Sequence, residues 1–175
     1  GVSKVNLLSE AGHPDDALEL ALKLAREYPR RALVEYAAAQ SLLAKDRAEV
    51  AIPHARAAFL EMPGRGYRFL LANTLYKADQ FPEAWAVLEP LLARPDDSVE
   101  GLAIALALHV KSPDESLALM ESYLARHPDN AELRIRQATE FFHIGRLEEA
   151  SETALRALSR HVATLSLEAI QQCLG

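Results

Sequence analysis

The chain has 175 residues, 50% of them hydrophobic and 25% charged, with a formal net charge of −6. Ala and Leu dominate, the composition of a soluble helical protein, and the longest apolar runs are far too short to span a bilayer. An acidic chain without clustered Lys and Arg lacks the footprint for nucleic acid or anionic lipid, and a single cysteine, Cys173, excludes an intramolecular disulfide and a Cys-based metal site.

In chain order, apolar periodicity and turn residues predict eleven helices and no strand. Residues 1–11 form a first helix, and Gly12-His13-Pro14 turns the chain into a second over 15–28. Helices over 31–44 and 48–61 make the next hairpin, and Pro63-Gly64-Arg65-Gly66 links it to a pair over 66–78 and 82–93. Pairs over 98–109 with 113–126 and 131–143 with 147–160 follow, and an amphipathic helix over 163–174 is expected to cover the apolar end of the last hairpin. Pro14, Pro82 and Pro113 fall at helix starts, where a missing N–H removes no hydrogen bond, and Asp15-Asp16, Glu83 and Asp114-Glu115 put negative charge on the first turns. Pro53 and Pro90 sit inside helices and are expected to kink or loosen them, at about 3 kcal/mol each in an ordinary interior. The chain opens GVSKV, with no initiator Met and no signal sequence, and reads as a processed or excised fragment of a longer protein; its lone cysteine suits a cytoplasmic or a periplasmic setting.

The strongest signal is self-similarity. Small residues follow an acidic or turn stretch at Ala17, Ala51, Ala84, Ser116 and Ala150, which lie 34, 33, 32 and 34 residues apart. Helix-closing prolines at Pro29, Pro63, Pro95 and Pro128 lie 34, 32 and 33 apart. Small residues at Ala39, Ala72 and Ala138 in first helices, like Ala17, Ala51, Ala84 and Ala150 in second helices, let paired backbones approach closely. The period, the helix–turn–helix unit, the early small residue and the closing Pro resemble the tetratricopeptide repeat over essentially the whole chain. Leu71-Ala72, Leu75-Tyr76, Phe81, Ala84, Leu88 and Pro95 carry the likeness in the central copy, and Ala138, Phe141, Gly145, Leu147, Ala150, Ala154 and Ala157 in the last. The resemblance implies one all-α domain, an α-solenoid of about five antiparallel hairpins in a right-handed superhelix, with repeats near 1–30, 31–64, 65–96, 97–129 and 130–162 and a capping helix over 163–174.

No residues form a catalytic constellation: there is no GxSxG elbow, no Cys beside a base and no glycine-rich loop between strand and helix. The six histidines form no HExxH and no i, i+4 pair, so no metal and no cofactor is expected, and they read as solvated or helix-capping groups, with His127 and His161 at helix C-termini. In tetratricopeptide arrays the first helices line a concave groove. Carried onto this chain, the resemblance places there Asn6, Tyr36, Gln40, Phe69, Asn73, Tyr76 and Lys77, then Leu102, Leu108 and His109, then Arg136, Thr139, Phe142 and His143. Aromatics among amide and cationic donors suit an extended peptide or amphipathic helix, with Asn73 as backbone clamp, Tyr76 as apolar contact, and Lys77 and Arg136 facing acidic groups. The opposite reading is that Tyr36, Phe69, Tyr76 and Phe142 serve as packing residues between repeats. The cations of the chaperone-tail clamp known in the family are missing. The expected function is a non-catalytic protein-interaction scaffold. Its alternatives are an array of a bacterial export or surface-polysaccharide assembly contacting glycan or envelope components, and the regulatory array of a multidomain enzyme. Self-association through an open end of the array is a further expectation.

Overall fold

A computed structural model describes residues 1–159, and among these the chain is all-α with no strand. It divides into two compact units, Gly1–Val110 and Lys111–Gly175. Unit 1 contains α1 (Val2–Glu10), α2 (Pro14–Glu27), α3 (Ala32–Leu43), α4 (Ala48–Glu61), α5 (Arg65–Lys77), α6 (Phe81–Leu88), which tightens into a 3-10 turn over Glu89–Ala93, and α7 (Asp97–Val110). Unit 2 contains α8 (Pro113–Arg126), α9 (Ala131–His143) and α10, helical over 147–159. The helix expected over 163–174, with His161 and Cys173, lies outside the described residues.

Four turns within hairpins share one geometry. Gly12, Asp46, Asp79 and Gly145 take left-handed φ values of 79°, 53°, 58° and 79°. The next N–H then reaches back to a carbonyl of the preceding helix: His13 to Leu8, Arg47 to Leu42, Gln80 to Leu75 and Arg146 to Phe141, at 2.9 to 3.0 Å. These bonds satisfy carbonyls that a helix end leaves without partners. Glycine adopts the conformation without strain, whereas aspartate tolerates it at some cost.

In unit 1 each helix packs on its successor, and the first helices α1, α3, α5 and α7 also pack side by side. The contacts are close because the facing residues are small. Ala17, Ala39, Ala51, Ala72 and Ala84 are fully buried, and in unit 2 Ala138 and Ala150 are buried as well. One core joins Leu42, Leu71, Leu75, Leu88 and Leu106 across α3 to α7, and a second joins Val5, Ala21 and Ala38 across α1 to α3.

The expected helix starts hold. Pro14, Pro82 and Pro113 lie in first turns with the expected acidic neighbours. The two interior prolines differ from each other. At Pro90 the α-helix gives way to the 3-10 turn, whereas α4 runs unbroken past Pro53 to Glu61. Pro53 and Glu49 are both exposed, so the Glu49 carbonyl that loses its partner faces water, where a lost helix bond is least costly. Ser116, which stands where other copies have Ala, is buried, and its hydroxyl donates to the Ser112 carbonyl at 3.1 Å.

Candidate functional site

The side-by-side first helices of unit 1 leave two recesses between them. Between α3 and α5 a hollow of about 250 Å³ is lined by Tyr36, Gln40, Leu43, Phe69, Leu70 and Asn73. Between α1 and α3 a hollow of about 380 Å³ is lined in part by Asn6, Ser9, Glu10, Gln40 and Ser41. Gln40 belongs to both, so Asn6, Gln40 and Asn73 mark out a polar row across three helices.

Residues one helical turn apart share a face, which is why Tyr36 and Gln40 on α3, and Phe69 and Asn73 on α5, come together. Gln40 Nε2 donates to the Tyr36 hydroxyl at 3.0 Å, which fixes both side chains. The Tyr36 ring meets the edge of Tyr67 at 5.4 Å. Tyr36, Phe69 and Tyr76 are half-buried and rest on the core, so they pack between repeats and line the surface at once. Asn73 is half-buried, and its carboxamide has no hydrogen-bond partner among the described residues.

Further along, Tyr76 belongs to a ring group: Phe81 and His109 stack at 3.8 Å, with Tyr76 5.9 Å from Phe81. Lys77 is exposed at the end of α5. Leu102 corrects the expectation, since it is 7% exposed and belongs to the core. It is buried because α7 is apolar almost all round, with Val99, Ala103, Ile104, Leu106 and Ala107 buried too. Leu108 is half-buried.

In unit 2, Arg136, Thr139, Phe142 and His143 are all exposed on α9. Arg136 lies 3.9 Å from Glu132, and the Thr139 hydroxyl donates to the Ile135 carbonyl at 3.0 Å. Thr139 and Phe142 line a separate apolar hollow with Ile135, Ala138, Leu147 and Ala150. His143 Nδ1 is 4.0 Å from Glu140.

Several polar arrangements escaped the sequence reading. His54 is not a solvated or capping group: its Nδ1 lies 2.6 Å from the buried Glu35 carboxylate, which also accepts from the Arg30 N–H at 3.2 Å. Arg65 donates to Asp96 at 2.6 Å and to the Arg94 carbonyl at 2.8 Å, tying the start of α5 to the approach to α7. That guanidinium, with the Val99 N–H, holds the Asp96 carboxyl below its usual range. His127 stacks on Tyr123 at 4.3 Å. Among the described residues, no three His, Cys, Asp or Glu side chains gather as metal ligands would.

No protein-family model and no curated protein matches the sequence. Solved structures match the fold. MamA 41-end from Desulfovibrio magneticus RS-1 is 15% identical, with a TM-score of 0.82 over 92% of this chain and 93% of its own. The RS-1 ArsTM double mutant of MamA is 16% identical, with a TM-score of 0.82 over 94% of each chain. YrrB, described as a TPR protein with an unusual peptide-binding site, is 19% identical, with a TM-score of 0.78 over 97% of this chain and 90% of its own. The chain therefore has the tetratricopeptide-type fold, an all-α solenoid of helical hairpins.

Proposed function

We propose that this tetratricopeptide-type solenoid is a non-catalytic protein-interaction scaffold that receives an extended peptide segment of a partner along the first helices of unit 1. The observation that carries the reading is the α3/α5 recess, in which two half-buried aromatics, Tyr36 and Phe69, flank the unpartnered carboxamide of Asn73. An amide with open donor and acceptor capacity matches a peptide group, which carries one of each. The rings present apolar area with little rotamer freedom to lose, and Asn6 and Gln40 extend the same chemistry across α1 and α3. Each half-buried polar group that gains a partner on binding contributes on the order of 1 kcal/mol. YrrB, a TPR protein of like fold, has a peptide-binding site by its description, which supports peptide as the ligand class here.

The test is selection of a displayed library of linear peptides against the chain, followed by affinity measurement with Asn73→Ala and Gln40→Ala variants. The reading expects a recurrent motif whose binding drops about tenfold in Asn73→Ala, equivalent to roughly 1.4 kcal/mol. A library that yields no motif, or a motif bound equally by both variants, overturns it.

A further inference from the structure

Unit 2 holds a polar cavity that the groove reading does not use. It measures about 430 Å³, within the range of small-molecule sites, and lies among α8, α9 and α10. Its walls carry three arginines, Arg134, Arg146 and Arg156, and three glutamates, Glu121, Glu149 and Glu152. Two of each are already matched. Arg146 Nε donates to Glu149 at 2.6 Å, and Arg156 donates to Glu152 at 2.6 Å.

One charge of each sign is left over. Arg134 donates from Nη2 to the Pro128 carbonyl at 3.0 Å, but its Nε is buried with no acceptor. Glu121 makes no ion pair among the described residues and is exposed at the cavity wall. Gln137, only 8% exposed, lines the same space and has no hydrogen-bond partner among the described residues. Gln137 and the guanidinium of Arg134 therefore stand on one wall of the cavity with hydrogen-bonding capacity beyond the contacts the fold gives them. Among the described lining residues the charges balance, with one unmatched group of each sign. That arrangement matches a molecule that carries both charges.

We propose that this cavity binds a small zwitterion of amino-acid or dipeptide size, its carboxylate held by Arg134 and Gln137 and its ammonium by Glu121. Arg–carboxylate pairing supplies direction as well as attraction, and Phe141 with Leu124 offers apolar surface to the remainder of the ligand. The site is independent of the peptide recess of unit 1.

Isothermal titration of the full chain with L-alanine and with L-alanyl-L-alanine tests the proposal, with N-acetylated and C-amidated alanylalanine as controls. Saturable binding of one or both free zwitterions is expected, and the better of the two identifies the ligand length. Blocking either terminus, or introducing Arg134→Gln or Glu121→Gln, should weaken binding at least tenfold, whereas His13→Ala, on an exposed turn of unit 1, should leave it unchanged. Gln137→Leu should weaken binding while keeping the helical circular dichroism spectrum, which separates loss of the site from loss of the fold. Absence of saturable binding below about 10 mM, the millimolar regime of only a few kcal/mol, means a cavity filled by water alone and overturns the proposal. Equal binding of the blocked probes, or binding retained in Arg134→Gln, overturns it too.

Discussion

The interior beneath α5 and the interior beneath α9 occupy equivalent places in their hairpins and are built from opposite chemistry. Each helix has a small residue, Ala72 or Ala138, and each ends in the same left-handed turn with the same backward hydrogen bond. One residue before the small one, α5 carries Leu71, 4% exposed and part of the apolar core, while α9 carries Gln137, buried beside a cavity. Four residues before the small one, Arg68 stands over the Phe59 ring at 4.8 Å, while Arg134 keeps a buried N–H without an acceptor. The hairpin thus depends on the small residue and the turn, and the position next to the small residue is open to a different use. Unit 1 devotes it to cohesion. Unit 2 leaves it polar, beside a cavity.

The reciprocal exchange tests this most strongly. Leu71→Gln should destabilise the chain by about 3 kcal/mol, from lost apolar burial and an amide without partners. Gln137→Leu should do the reverse and stabilise unit 2 by about 1 kcal/mol, since it puts apolar surface in place of a mostly buried amide. Urea unfolding monitored by circular dichroism reads both; a destabilising Gln137→Leu would mean that the amide has a partner within the fold. A second pair probes what the hairpins share. Ala84→Leu and Ala150→Leu should each overpack the contact, by about 1 to 3 kcal/mol, with the larger loss at Ala84, which is fully buried where Ala150 is 8% exposed. An Ala150 variant as costly as the Ala84 one would show the two units to be equally tight.

What was legible in the sequence follows the same division. The hairpins were readable because Ala17, Ala51, Ala84 and Ala150, with Pro14, Pro82 and Pro113, act locally: a small side chain or a proline does the same work in every copy. The recess was readable for a related reason, since Tyr36 with Gln40 and Phe69 with Asn73 lie one turn apart and share a face whatever surrounds them. Leu102 was misplaced because α7 buries residues on nearly every side and so has no polar face to set its register. Arg134 and Gln137 were passed over because polar letters on an amphipathic helix read as solvated. They line a cavity together with Leu124 and Ala125 of α8 and with α10, a placement that periodicity along α9 does not encode. The Glu35–His54 contact joins two helices across 19 residues and leaves no motif.

Helix starts give the next contrast. The helices α1 to α6 begin without a side-chain cap, whereas Asp96 caps α7 by accepting from the Val99 N–H, Ser112 and Glu115 form a reciprocal capping box on α8, and Asn130 caps α9 by accepting from the Leu133 N–H. Ser112→Ala or Asn130→Ala should each cost about 1 kcal/mol in urea unfolding, while His13→Ala, at an uncapped start, should cost nothing measurable. Equal losses at all three would remove the distinction.

The smallest effect is a dependence on acidity. The Ser112 hydroxyl and N–H hold the Glu115 carboxyl below its ordinary value of 4.5, and Arg146 holds Glu149 below the same value. In unit 1, Arg65 and the Val99 N–H hold Asp96 below its ordinary 3.8. A carboxyl whose folded pKa is depressed contributes stability that is complete above the unfolded pKa and is lost as pH falls through the folded one. Stability should therefore be flat in these terms above about pH 5 and fall progressively below about pH 4.5. The two units should respond to different variants. Ser112→Ala removes the donors' hydroxyl and should shallow the acid decline of α8 in unit 2, and Arg65→Gln should shallow that of unit 1, where Asp96 titrates. Urea midpoints measured from pH 7 to pH 3 check both slopes. If Ser112→Ala lowers stability by the same amount at every pH, the hydroxyl caps the helix without holding the Glu115 charge.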